Sequence, residues 1–394
     1  MKKVPRREAK MLSKAIAEYL EWMISAGYAD STWNNYQRVL DRFQQFVQNE
    51  QLVWDDIFTW KTLQAFCAQV KMHHTGHAVR GLARYLFGQG LIKSPIYKEP
   101  PPLPEIFEDY IRFYKQTRQV GYIQIYRVRG TLSALNNYLQ DHSIDLEDLD
   151  VFHMNSFLAK RNKNFAPETR INQRSVLRGF LRYLYQERRI LGQDLSALIQ
   201  GPPVYAQSSP PKFLTPDQIQ ELFQSIDVRH PKGLRTKAMI HLAFSLGLRP
   251  KEICQVSLDD ISFPKKEINV PDRKNDIPAI LPLPRPTIKA LAAYIAWDRP
   301  QNPGHRILLC STHPPYGPLA PMTVSQDISK SFQKAGLEGS AYWLRHTYAQ
   351  NLLQTGASIF EIKEMLGHDI IKTSKKYLSV HTKLMREVLF DEEV

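Results

Sequence analysis

An eight-residue stretch occurs twice in this chain. Arg80-Gly81-Leu82-Ala83-Arg84-Tyr85-Leu86-Phe87 is matched by Arg178-Gly179-Phe180-Leu181-Arg182-Tyr183-Leu184-Tyr185, at an offset of 98. Upstream of each copy, Phe43-Gln44-Gln45-Phe46-Val47-Gln48 parallels Leu135-Asn136-Asn137-Tyr138-Leu139-Gln140. Apolar residues fall at helical intervals in both copies (Leu40, Phe43, Phe46, Val47; Leu132, Leu135, Tyr138, Leu139), and neither copy shows the alternation of a strand. The pattern therefore predicts one unit built twice, each an all-helical bundle of four or five short helices.

Two proline clusters separate the copies from each other and from the rest. They are Ser94 to Pro104 (SPIYKEPPPLP) and Gly201 to Pro211 (GPPVYAQSSPP). Proline cannot continue a helix and favours extended chain, so both read as linkers. The expected domains are 1–95, 103–200 and 212–394. The third mixes structure. Thr215 and Pro216 form a helix start, and Thr236 to Leu246 has helical apolar spacing closed by Gly247. Glu267 to Val270 and Ala279 to Leu283 read as short strands around the polar turn Asp272 to Asp276. From Ala341 the pattern is helical again, with Gly356 and Gly367 as stops. The expected fold class is mainly α with a small β-sheet in the C-terminal domain: two tandem helical domains followed by an α+β domain.

Lys and Arg number 52 against 39 Asp and Glu, a formal charge of +13 over 394 residues, and the excess is spread through all three segments. A basic tail on a neutral protein would not look like this; several modules that each touch a polyanion would, with nucleic acid the leading candidate. Arg170, Arg174, Arg178 and Arg182 recur every four residues, and Arg80 and Arg84 repeat the last two in the first copy. Such a stripe suits phosphate contact, its alternative being a solvated helix face. Cys67, Cys254 and Cys310 are too few and too scattered for a disulfide framework, which suits a reducing cytoplasm. No apolar run reaches signal-peptide or membrane-span length, so a soluble, cytoplasmic protein is expected.

Four fragments of the third segment carry chemistry. In Gly247-Leu248-Arg249-Pro250-Lys251-Glu252, Arg249 stands at a helix junction and Glu252 can orient it. An arginine there offers a planar, permanently charged fork for phosphate oxygens, although an Arg with an i+3 Glu is commonly a surface ion pair. Lys274 sits in the predicted hairpin turn and can reach a leaving oxygen as a proton donor; alone it reads as a solvated lysine. Tyr342-Trp343-Leu344-Arg345-His346-Thr347 supplies a second guanidinium, and Leu366-Gly367-His368 is followed nine residues later by Tyr377. An isolated Tyr377 would read as a tyrosine packing on an amphipathic helix.

In order and spacing, these fragments resemble the signature of the tyrosine recombinase (phage integrase) family. The second helical segment resembles the family's SAM-like core-binding domain. The resemblance implies that Arg249 and Arg345 hold a DNA phosphate, that Lys274 and His368 assist, and that Tyr377 is the nucleophile. One departure stands out: where the family carries a histidine, three residues before Arg345, this chain has Tyr342, a neutral hydrogen-bond donor near pH 7.

The same resemblance implies a site-specific recombinase that cleaves and rejoins DNA through a 3′-phosphotyrosine, without ATP, metal or cofactor. It would act as a homo-tetramer on two double-stranded recombination sites and associate with the nucleoid when bound. The segment from His381 to Val394, with Leu384, Val388, Leu389 and Phe390, would dock on a neighbouring protomer or pack on its own domain. Three rival readings stand beside this one. They are a type IB topoisomerase-like activity, a DNA-binding member whose catalysis is weakened (Tyr342 being the sign), and a metal nuclease using His73, His74 and His77, which lack acidic or Cys neighbours.

Overall fold

The structure is a computed structural model, and it describes residues 6–367 apart from 73, 99, 119, 202–211, 272–277 and 302. The described residues of 98–205 form one compact unit, and those of 1–97 and 206–394 form another.

In the latter unit, the N-terminal stretch contributes five helices: α1 (Arg6–Ser25), α2 (Asp30–Asn49), α3 (Trp54–Ile57), α4 (Trp60–Gln69) and α5 (Thr75–Gly88). Leu12, Ile16, Tyr19 and Met23 recur along α1 at intervals of three and four, so one face enters a core with Val39, Leu40, Phe43 and Leu82. The 98–205 unit repeats the plan with α6 (Glu105–Arg118), α7 (Tyr122–Asp141), α8 (Val151–Asn162) and α9 (Pro167–Gln186). Its core is separate, built from Phe107, Tyr110, Leu132, Leu135, Leu177 and Phe180 among others.

The sequence repeat is a repeat of packing. On α1 the buried Tyr19 places its hydroxyl against Gly81 of α5, where an added Cβ would overlap it; on α6 the buried Tyr110 does the same to Gly179 of α9. Tyr85 packs its ring 5.4 Å from Tyr19 and 5.3 Å from Trp22, and Tyr183 sits 5.3 Å from Tyr110 and 5.1 Å from Phe113. A glycine is required at these two places because only a bare backbone lets the tyrosine helix approach so closely. One expectation needs correcting: the helices are not uniformly short, since α1, α2, α7 and α9 run to 20 residues each. No proline or strong cap interrupts those stretches, and burial along one face carries them through Gly130 and Gly179.

The stretch after 212 holds α10 (Pro216–Gln224), α11 (Gly233–Ser245), α12 (Pro250–Gln255), β1 (Ile261–Ser262), β2 (Glu267–Val270), β3 (Ala279–Pro282), α13 (Arg285–Trp297), α14 (Pro321–Lys334), α15 (Ala341–Gln354) and α16 (Ile359–Leu366). Proline occupies the first turn of α9, α10, α12, α13 and α14, where its missing N–H would be unpaired anyway. Thr215 caps α10 through a reciprocal pair with Gln218, and Ser358 caps α16 through Glu361. The sheet is an antiparallel meander in the order β1-β2-β3, with Glu267 opposite Pro282 and Val270 opposite Ala279. Helix α11 is buried almost all round, between α13 and α15. A small cluster of Ala349, Leu353, Ile362 and Leu366 seats α16 on α15. No described helix is long and apolar enough to cross a membrane.

Candidate active site

Helix α11 ends at Ser245, and Gly247 turns the chain with φ of +64°. A side chain there would be strained and would also meet the Tyr348 ring, its Cβ only 2.5 Å from Cδ1. Two residues later Arg249 is the N-cap of α12, with Pro250 at the first helical position. Glu252, at the third, reaches back and accepts from the Arg249 backbone N–H at 2.7 Å and from Arg249 Nη1 at 2.6 Å. Its residue is 3% exposed, so this carboxylate is held out of water.

Arg345 comes to the same carboxylate from α15, also 3% exposed, with Nη1 3.7 Å from Glu252 Oε2. It donates through Nη1 to the Gly247 carbonyl and through Nη2 to that of Leu366. Arg249 Nη2 donates to the Gly367 carbonyl at 3.2 Å. Gly367 closes α16 with φ of +60°, so the two arginines satisfy carbonyls that a helix end otherwise leaves without partners. Two guanidiniums therefore meet at one buried carboxylate. The Arg249 side chain is a fifth exposed and keeps access to solvent. That arrangement can receive an anion with little reorganisation.

Lys274, His368 and Tyr377, together with the 381–394 segment, lie outside the described residues. The strands that flank the Lys274 turn pair as expected. Tyr342 is exposed, 54%, on the first turn of α15, one turn before Arg345.

Several supporting contacts gave no sequence signal. Thr347 Oγ1 accepts from the Leu214 backbone N–H at 2.9 Å, tying α15 to the start of the segment. Lys212 Nζ stands 5.1 Å over the Trp343 ring. Arg235, buried inside α11, donates to the Cys310 carbonyl at 2.8 Å and to Asp327 Oδ2 at 2.7 Å. Partners this far apart along the chain cannot be paired by spacing alone.

The stripe arginines are less uniform than their four-residue period suggests. Arg178 and Arg182 are exposed; Arg170 and Arg174 are half-buried, because a four-residue step drifts around a 3.6-residue helix. Arg170 Nε donates to the Phe165 carbonyl at 2.7 Å, and the Arg174 Nε is buried without a partner. In the first copy Arg80 Nε donates to the Gly76 carbonyl at 2.9 Å and Arg84 Nε to that of Arg80 at 3.2 Å. None of these six forms an ion pair among the described residues, unlike Arg235, Arg249 and Arg345. The His74 and His77 rings stand 6.0 Å apart, and His73 lies outside the described residues.

Comparison with known proteins places this geometry in a family. The model described as "Phage integrase family" matches residues 212–383, and that described as "Phage integrase, N-terminal SAM-like domain" matches 107–188. The chain belongs to the tyrosine recombinase (phage integrase) family. It is similar to the y4rA protein of Sinorhizobium fredii, 26% identical over 387 residues, covering 94% of this chain and 92% of that one. Its fold is like that of the XerH site-specific recombinase bound to a palindromic difH substrate (TM-score 0.59, 16% identity, 98% and 97% of the two chains). It is also like a λ integrase tetramer bound to a Holliday junction (TM-score 0.56, 18% identity, 69% and 76%).

Proposed function

We infer that the chain is a site-specific DNA recombinase, and that Arg249 and Arg345 are its phosphate clamp. The observation that carries this reading is the shared buried Glu252, which fixes two distant guanidiniums side by side at the ends of α11 and α16. A phosphodiester resists attack because its anionic oxygens repel a nucleophile. Two arginines on the non-bridging oxygens neutralise that charge and stabilise what accumulates in the pentavalent transition state.

Tyr377 then attacks phosphorus in line. The phenolic O–P bond forms, the bond to the 5′ oxygen breaks, and a 3′-phosphotyrosine results. His368 accepts the phenol proton or donates a hydrogen bond to the phosphate, and Lys274 gives a proton to the departing 5′ oxygen. Rejoining runs the same steps backwards with a new 5′-hydroxyl, so bond energy is kept without ATP. Tyr342 contributes one neutral hydrogen bond where the family has an imidazole.

Residues 1–95 and 103–200 are helical DNA-binding domains in this reading, with 212–394 catalytic. The protomers assemble as a tetramer on two duplex sites in the cytoplasm, as the λ integrase likeness suggests. The test is trapping on a nicked duplex. The native chain is expected to leave a denaturant-resistant protein–DNA adduct, and Tyr377→Phe none. Tyr342→Phe should retain the adduct at a lower rate. An adduct that persists in Tyr377→Phe would refute the assignment of the nucleophile.

A further inference from the structure

A cavity of about 300 Å³ lies at the opposite end of α11 from Arg249 and Arg345. It is lined by the turn from Ser225 to Lys232, the start of α11 and the second half of α14. Helix α11 runs for 13 residues, so about 20 Å separates this end from the arginine pair, and one phosphate cannot reach both.

Backbone packing fixes the walls. At Gly233 an added Cβ would stand 2.1 Å from the Asp227 carbonyl oxygen, so only glycine lets the turn fold back so closely on the helix start. The Gly233 N–H donates to the His230 carbonyl at 2.7 Å, and Asp227 Oδ1 accepts from the Arg229 N–H at 2.9 Å. His230 Nδ1 accepts from the Lys232 N–H at 3.3 Å, which makes Nε2 of the neutral ring a donor.

The lining offers two sets of partners. Lys330 and Lys334 stand one turn apart on α14, Lys232 closes the turn, and none of the three forms an ion pair among the described residues. Of the two carboxylates present, Asp327 is already paired with Arg235 at 2.7 Å. Thr236, on the first turn of α11, is 8% exposed, and its hydroxyl makes no hydrogen bond among the described residues. Leaving a buried hydroxyl unpaired is costly, and on a cavity wall a ligand oxygen removes that cost. Ser225 and Ser331 differ, because their protons are spent on the Leu222 and Asp327 carbonyls at 2.8 and 3.1 Å. Toward the cavity these two oxygens only accept.

We propose that this cavity binds a small phosphate monoester carrying free hydroxyls. The phosphate lies against Lys232, Lys330, Lys334 and Thr236, where ammonium groups act as point charges on its oxygens. The ligand's hydroxyls donate to Ser225, Ser331 and Asp227. Duplex DNA fits less well: its deoxyriboses have no free hydroxyl within a strand, and its diester charges would approach the Asp227 carboxylate. The proposal does not depend on the recombinase reading.

The test uses the full chain, with calorimetry and thermal melts at matched ionic strength. The probe is glycerol 3-phosphate, compared with inorganic phosphate and sulfate. Glycerol 3-phosphate is expected to bind most tightly of the three and to raise the melting temperature. The double variant Lys330→Gln, Lys334→Gln should weaken it more than about tenfold, and Thr236→Val about tenfold, the loss of one hydrogen bond to a charged oxygen. Thr236→Ser keeps the hydroxyl and should bind like the native chain. Lys14→Gln, on an exposed lysine of α1 paired with Glu18, is the control and should change nothing. Circular dichroism checks that each variant is folded.

No binding by the native chain, or native affinity in both the lysine and the Thr236→Val variants, would overturn the site. Equal affinity for sulfate and both phosphates would mean an adventitious ion only, and would overturn it as well. So would displacement of the probe by a duplex of arbitrary sequence, if the double lysine variant also lowers the salt slope of DNA binding by about 0.9 for each lysine. Covalent trapping on a nicked duplex, measured beside these, reports on the recombinase reading alone.

Discussion

Glu252→Gln isolates what holds Arg249 and Arg345 together, the pair proposed above as a phosphate clamp. The carboxylate accepts from the Arg249 amide and guanidinium at 2.7 and 2.6 Å and faces Arg345 at 3.7 Å, with 3% of the residue exposed. Glutamine keeps the volume but offers one acceptor oxygen, and turns an NH2 group toward a donor. One charge-assisted hydrogen bond, of about 1.5–3 kcal/mol, is lost, and a donor is left facing a donor. Breaking a buried ion pair from one side costs about 3–5 kcal/mol. We expect about 3 kcal/mol of lost stability, or roughly 6–12 °C in the melting temperature of a unit this size.

The catalytic effect should exceed the structural one. Each guanidinium loses its fixed orientation, and removing a single preorganised donor costs about 10²–10³ in rate. Single-turnover cleavage of a nicked duplex should fall by that factor, while non-covalent affinity stays within about threefold, because both arginines keep their charge. Glu252→Asp retains the charge one methylene short and should recover part of the rate. A Glu252→Gln protein that melts and cleaves like the native chain would refute the reasoning. A variant that loses affinity and rate together would show Glu252 to be structural only.

The packing carries three further expectations. Gly179→Ala should cost about 1–3 kcal/mol through overlap with the Tyr110 hydroxyl; adding Tyr110→Phe, which removes that oxygen, should restore most of it in a thermal melt, and no restoration would place the strain elsewhere. His241, buried in α11, has its pKa depressed from 6.5 to about 4, chiefly by desolvation. The unfolded chain therefore binds a proton between about pH 6.5 and 4 that the native one refuses. Stability should decline by about 3 kcal/mol as pH falls through that window and level off below it; His241→Gln should flatten the decline, and an unchanged pH profile would count against the burial argument. Arg345→Lys keeps the charge but loses the fork that spans the Gly247 and Leu366 carbonyls, and should reduce covalent trapping at least a hundredfold without abolishing duplex binding.

Much of the fold could be read from local pattern because local physics determines it. Thr215 with Pro216, Pro250 after Arg249 and Gly367 after Leu366 are short-range signals, and each marks the helix boundary it implies. The β2–β3 hairpin was legible for the same reason. The spacing of Arg249 and Glu252 was visible too, but not that Glu252 also faces Arg345, since nothing local connects residues on α12 and α15. The Arg235–Asp327 pair and the Thr347 contact to Leu214 were hidden for the same reason. The arginine stripe shows the converse: a perfect period in sequence became two exposed and two half-buried side chains once the helix had a core on one side.

The two helical copies show which residues answer to packing and which to a surface. Tyr19 and Tyr110, Gly81 and Gly179, and Tyr85 and Tyr183 hold equivalent places because each glycine can accept only one kind of neighbour and each ring fills the gap beside it. Change one member and the helices must separate, so the set is fixed by close packing. Tyr28 and Tyr36 are only half-buried, and the second copy has Val120 and Val128 at these places, so the repeat fixes the tyrosine–glycine contact and lets the partly exposed neighbours vary.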